Sequence, residues 1–223
     1  MLLRLAERLD IPLRERNGLL LAGGYAPDYP ERALDDPTMT VAKEVVERVL
    51  AGHEPYPALA VDRHWSLVAA NRAVGLLMAG VDPELARPPI NVLRLSLHPD
   101  GLAPRIVNLA RWRAHLLERL RRQVELTADA TLARLLDELR GYPTGRPATT
   151  IYAHGDAGVA VPLRLRTDQG ELSFLSTTMV FGTPVDVTLS ELAIEAFFPA
   201  DAGTAATLGS VAADQAGTSS SDR

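Results

Sequence analysis

The sequence predicts an antiparallel α+β domain: a sheet of about five strands with one face buried under helices, preceded by a short helical segment. Three observations lead there. Strand-like runs fall into two groups, one at residues 58–70 and one after residue 149, with helical periodicity between them. The two groups do not alternate strand with helix, as a parallel sheet requires. At 223 residues the chain is also long enough to bury one medium core with attachments.

The elements follow in order. Leu2, Leu5, Leu9 and Leu13 recur at helical spacing, with Pro12 breaking the pattern after Asp10. Residues 14–25 continue as a second short helix, stopped by Gly23, Gly24 and Pro27. Pro27, Pro30 and Pro37 mark residues 27–37 as a linker and module boundary. Residues 38–51 place Val41, Val45, Val46, Val49 and Leu50 on one helical face, and Gly52, Pro55 and Pro57 end that helix.

The period then changes. Ala58–Asp62 and Ser66–Ala70 suit two buried strands, with Asp62 placed to bond turn amides and Asn71 placed to cap a following helix to Ala79. Residues 92–97 are short, apolar and ambiguous between helix and strand. Leu102, Ile106, Leu109, Leu116, Leu120 and Val124 predict the longest helix, over 102–125, and a second helix covers about 131–140. A weak strand at Thr149–Ala153, an alternating run at 159–166 and a hairpin partner at 171–181 follow. Thr188-Leu-Ser-Glu191 reads as a capping box opening a closing helix. Residues 201–223 have little to bury and are expected to be disordered.

Composition excludes several function classes. There is no cysteine, hence no disulfide, thiolate metal site or cysteine nucleophile, and the chain suits a reducing cytoplasm. The net charge of −5 argues against a dedicated nucleic-acid surface. No stretch of 18 apolar residues predicts a membrane span, and the charged N-terminus does not read as a secretory signal. His53, His64, His98, His115 and His154 lack compact metal-ligand spacing, and no P-loop, dinucleotide fingerprint or nucleophile elbow is present. No cofactor and no catalysis are expected. Asp35, Asp36, Glu44 and Glu47 read as solvated carboxylates. Arg105, Arg111, Arg113, Arg119, Arg121 and Arg122 read as a solvated helix face, neutralised in part by Glu118 and Glu125, rather than an anion site.

Two stretches carry a family resemblance. Asp62-Arg-His-Trp-Ser-Leu-Val-Ala-Ala-Asn71 resembles the opening hairpin and asparagine of PAS-type sensor domains. With Leu97-His-Pro-Asp-Gly-Leu102, Arg111-Trp-Arg113 and Phe181-Gly-Thr-Pro-Val-Asp-Val-Thr-Leu-Ser-Glu191, it is similar to the MmyB-like ligand-binding domain of bacterial XRE-type helix-turn-helix regulators, over about residues 37–200. Residues 2–25 resemble the last helices of that family's DNA-binding half, which buttress the fold, whereas the recognition helix lies earlier.

The resemblance implies a PAS-like sheet under helices, residues 38–200, holding an apolar, acyl-chain-like small molecule. Residues 1–26 would be the end of a truncated helix-turn-helix domain. DNA binding belongs to the full-length family and is not expected through this chain. A fragment, a late start and a truncated relative all fit the sequence. The expected ligand contacts, chosen by position, are Trp65 and Leu67 on the hairpin, Leu93 and Leu97 before the turn, Trp112 on the long helix, and Phe174 and Met179 on the last long strand. The 38–51 helix is the expected transmitter and a homodimer is plausible. The rival reading is a ligand-independent interaction module that pairs with full-length relatives through Leu2, Leu5, Leu9, Leu19 and Leu20.

Overall fold

A computed structural model describes residues 1–143 and 160–220. The expected strand at Thr149–Ala153 lies outside the described residues. The chain opens with two short helices, α1 (Leu2–Arg8) and α2 (Leu13–Ala22), then a linker, a turn of 3₁₀ helix and α3 (Thr40–Gly52). The first hairpin is β1 (Ala58–Val61) and β2 (Leu67–Ala70), followed by α4 (Val74–Met78), α5 (Val92–Leu97), α6 (Leu109–Thr127) and α7 (Ala130–Gly141). A second hairpin, β3 (Leu163–Thr167) and β4 (Gly170–Val180), is followed by α8 (Val187–Ser190), β5 (Ala193–Pro199) and α9 (Ala202–Ser220).

The five strands form one antiparallel sheet in the order β2-β1-β5-β4-β3. This is the α+β class that the sequence predicts, and among the described residues it includes one strand, β5, that the sequence reading does not contain. β5 was not anticipated, because the apolar run Ala193-Ile-Glu-Ala-Phe-Phe follows so closely on the helix signal that it reads as its continuation. It sits at the centre, pairing Leu59 with Glu195 on one side and Thr178 with Glu195 on the other.

Both faces of the sheet are covered. Leu59, Val61, Leu165, Leu172, Phe174 and Phe197 face α5, α6 and α7 and form the main core with Leu97, Trp112, Leu116, Leu120 and Leu136. Ala58, Ala60, Ile194 and Ala196 face the opposite way, against Val46 and Leu50 of α3. The expectation of a single buried face therefore needs correction: small residues on β1 and β5 let α3 pack closely on the second side.

Four further local expectations change. The predicted 102–125 helix is interrupted, and α6 starts only at Leu109. Ile106 instead bridges Leu165, Val107 N–H donates to Arg164 O at 2.8 Å, and the Asn108 amide bonds Pro162 O and Arg164 N, so this segment zips onto the edge of β3. Asn71 does not cap α4; its amide accepts from Ala58 N–H at 3.0 Å and donates to Leu50 O and Tyr56 O, tying α3 to the hairpin. α8 begins two residues earlier than the capping box predicts, with Asp186 accepting from Leu189 N–H. The stretch after 201 is helical where disorder was expected: Asp201 accepts from Thr204 N–H at 2.7 Å, the Thr204 hydroxyl accepts from Ser173 N–H at 3.0 Å, and Leu208 is 2% exposed. Two buried residues one turn apart anchor a segment whose composition otherwise offers nothing to bury.

Candidate ligand-binding site

The β1–β2 turn builds one wall of the site. The Asp62 carboxylate accepts from the amides of His64 and Ser66, both at 2.8 Å, as the sequence predicts. That turn holds Trp65 at φ +67°, a left-handed conformation uncommon for a bulky side chain. The hairpin register then skips a residue: Ala60 pairs Ala69, but Val61 pairs Leu67, leaving Val68 as the extra residue of a bulge. Leu67 is thereby turned to the same face as Val61. Without the bulge, strict alternation puts it on the side of α3.

Between this face and the helices lies an apolar cavity of about 80 Å³. Leu59, Trp65, Leu67 and Phe197 line it from the sheet, Leu77 and Met78 from α4, Leu93 and Ser96 from α5, and Trp112 and Leu116 from α6. Of the expected contacts, Trp65, Leu67, Leu93 and Trp112 stand on its wall. Leu97 and Phe174 are almost wholly buried in the same core, behind that wall. Met179 is 40% exposed and pairs Ile194, so it points to the opposite side of the sheet. Strand alternation explains its misplacement: positions 174 and 179 of one strand differ by an odd number and cannot share a face.

The polar features of the cavity were not anticipated as a set. Trp112 Nε1–H donates to Ser96 Oγ at 3.0 Å. Trp65 Nε1–H donates to Gln123 Oε1 at 2.8 Å. Arg119 donates to both oxygens of Glu195, at 2.6 and 3.1 Å, and to Thr178 Oγ1 at 2.9 Å, while its guanidinium lies 4.5 Å from the Trp65 ring centroid. Glu195 is 5% exposed. Arg119 and Glu195 are the charged residues on the cavity wall. The signal in the sequence is a lone carboxylate inside the apolar run 193–198, but the partner is 76 positions away.

The other arginines of the helical region divide by task. Arg121 and Arg122 pair with Glu118, as predicted for a solvated face. Arg105 instead reaches the carbonyls of Leu77 and Ala79 at the end of α4, and Arg113 those of Leu139 and Arg140 at the end of α7. Both act as helix C-caps.

Trp65 and Arg119 also face a second, open groove of about 610 Å³, rimmed by Pro12, Arg63, His115, Glu118, Arg122 and Glu191. Burial, then Arg119, pushes His115 below its ordinary value. Among the described residues no group of three or more His, Asp or Glu side chains converges as a metal set. No described helix is long and apolar enough to cross a membrane.

A sheet roofed by helices around an apolar hollow with few convergent polar groups defines a small-molecule-binding domain as the class of protein. The family can be stated as well. Residues 42–210 match the family model of the MmyB-like transcription regulator ligand binding domain, and the chain belongs to that family. It is accordingly a ligand-sensing regulatory domain of a transcription regulator. No curated protein matches the chain.

Proposed function

We propose that this domain senses a predominantly apolar, acyl-chain-like molecule in the cavity between the sheet and α4–α6, as the PAS-like sensor half of a cytoplasmic XRE-type regulator. The observation that carries the reading is the cavity itself: apolar walls, two tryptophans, and one ion pair at its edge. Drug-sized ligands occupy roughly 300–1,000 Å³. The present volume of about 80 Å³ must therefore expand to admit an acyl chain. That requirement suits a sensor, because a ligand shifts an equilibrium only by binding one packing better than another. In this reading α1 and α2 are the buttressing helices of a helix-turn-helix unit, and operator recognition does not reside in them.

One observation favours the rival reading of an interaction module. Leu5, Leu9, Leu19 and Leu21 of α1 and α2 are 56%, 62%, 42% and 59% exposed. Leu20, in contrast, is buried.

The test is native mass spectrometry of the purified protein followed by organic extraction, with a titration of dodecanoate. Trp65 and Trp112 are the chain's two tryptophans and both line the cavity, so intrinsic fluorescence reports occupancy directly. A co-purifying lipid or a saturable fluorescence change supports the sensor. A persistently empty protein whose emission ignores every apolar probe supports the interaction module.

A further inference from the structure

We propose that the N-terminal helix pair reads the state of the cavity through a chain of charged side chains centred on Glu191, and not through α3. The proposal takes the sensor reading as its premise and assigns the route by which the site is coupled.

Glu191 ends α8 and is gripped from two directions. From α2, Arg14 makes a two-pronged contact, Nε to Oε1 at 2.7 Å and Nη2 to Oε2 at 2.9 Å, and the same guanidinium holds Glu31 of the linker. From the β1–β2 turn, Arg63 Nη1 lies 3.8 Å from Glu191 Oε1. Its Nη2 lies 3.5 Å from Asp129 Oδ2, the carboxylate that caps α7.

Arg63 is two residues from Trp65, and Gln123 makes the two move together. The Gln123 amide donates to Arg63 O at 2.9 Å and accepts from Trp65 Nε1–H at 2.8 Å. A cavity wall residue and the cation that reaches Glu191 thus share one turn and one side-chain tether. That turn is held in a left-handed conformation at Trp65, a strained position that persists only because its surroundings hold it.

The linker reinforces the hub. Val187 N–H donates to Pro30 O at 2.8 Å, and Arg32 lies 3.2 Å from the buried Asp186. The turn of α8 is therefore bonded to α2, to the linker and to the hairpin, and it leads directly into β5, where Glu195 meets Arg119 at the cavity. In contrast, α3 packs on the far face of the sheet through Val46 and Leu50 and supplies no residue of the cavity wall. Displacing Trp65 moves Arg63, and Arg63 changes what Glu191 can offer to Arg14.

Hydrogen exchange on the full chain tests the route without a ligand. Exchange of the amides at 13–22 is followed in the wild type, Trp65→Phe, Arg63→Gln and the double variant. Trp65→Phe is expected to accelerate exchange in α2 about two- to fivefold, the scale set by partly exposed ion pairs. In the Arg63→Gln background the same substitution is expected to add nothing further to α2, while peptides of α3 respond equally in both backgrounds. Equal acceleration of α2 with and without Arg63, or none at all, overturns the proposal. If Trp65→Phe does not fold, Gln123→Met, which cuts both tethers, serves in the same comparison. Dodecanoate quenching of tryptophan fluorescence is read separately: its failure sinks the ligand reading, whereas a failed exchange coupling sinks the relay.

Discussion

A cavity in a core costs stability, and that cost is measurable here. At ~24 cal/mol per Å³ of cavity, a volume of about 80 Å³ corresponds to about 2 kcal/mol of stability forgone. Ser176 lies on the cavity wall, opposite Phe197 in the β4–β5 register, at a strand position that suits a β-branched side chain. Ser176→Val fills part of the space and replaces a hydroxyl with two methyl groups. The expected gain is about 0.5–1.5 kcal/mol. For a chain of this size that raises the melting temperature by about 1–6 °C. The same variant is expected to weaken dodecanoate binding, read from the two cavity tryptophans, because the space that the ligand enters is now occupied. Urea unfolding and thermal melts measure the first effect and a fluorescence titration the second. A variant that loses stability would mean that the space is not open to residue 176. A stabilised variant that still binds dodecanoate with undiminished affinity would place the ligand elsewhere.

Three further substitutions follow from the geometry. Asn71→Ala strips the partner from Ala58 N–H, a fully buried residue, and from the carbonyls of Leu50 and Tyr56, and is expected to cost about 2–4 kcal/mol in urea unfolding; a loss below about 1 kcal/mol would show that water replaces the amide. Gly101→Ala puts a Cβ 2.2 Å from Leu95 O, so the backbone between α5 and the following turn must shift, at a cost of about 1–3 kcal/mol by the same assay. Asp129 is the third: burial pushes its carboxyl up, but the His64 bond and the amides of Thr131 and Leu132 outweigh that and hold it at about 2. Because the folded value lies below the ordinary 3.8, its contribution is complete above about pH 4 and is lost as pH falls towards 2. Asp129→Asn is expected to flatten acid unfolding in that window, and an unchanged acid profile would contradict the assignment.

The sequence made parts of the site legible. Trp65, Leu67, Leu93 and Trp112, expected from their elements and positions, all stand on the cavity wall. Leu97 and Phe174, expected as ligand contacts, are instead buried in the core next to the cavity, because sequence position does not tell a wall residue from one in the layer behind it. Met179 lies an odd number of positions from Phe174 on the same strand, so alternation alone sends it to the other face, whereas the bulge at Val68 that turns Leu67 inward leaves no mark on hydrophobic alternation.

What the sequence determined by itself is local. Helical spacing set α1, α2, α3 and α7; the Asp62–Trp65 turn and its flanking apolar runs set the first hairpin; and the separation of the two strand groups set the α+β class. Each rests on periodicity or turn chemistry within a dozen residues. Only the tertiary structure decided that β5 lies at the centre of the sheet, that Asn71 staples α3 to the hairpin, that Arg119 meets Glu195, and that Thr204 and Leu208 dock residues 202–214. Those outcomes depend on which distant surfaces are buried together, and a buried polar group finds its partner through the packing of the whole core, not through its neighbours in the chain.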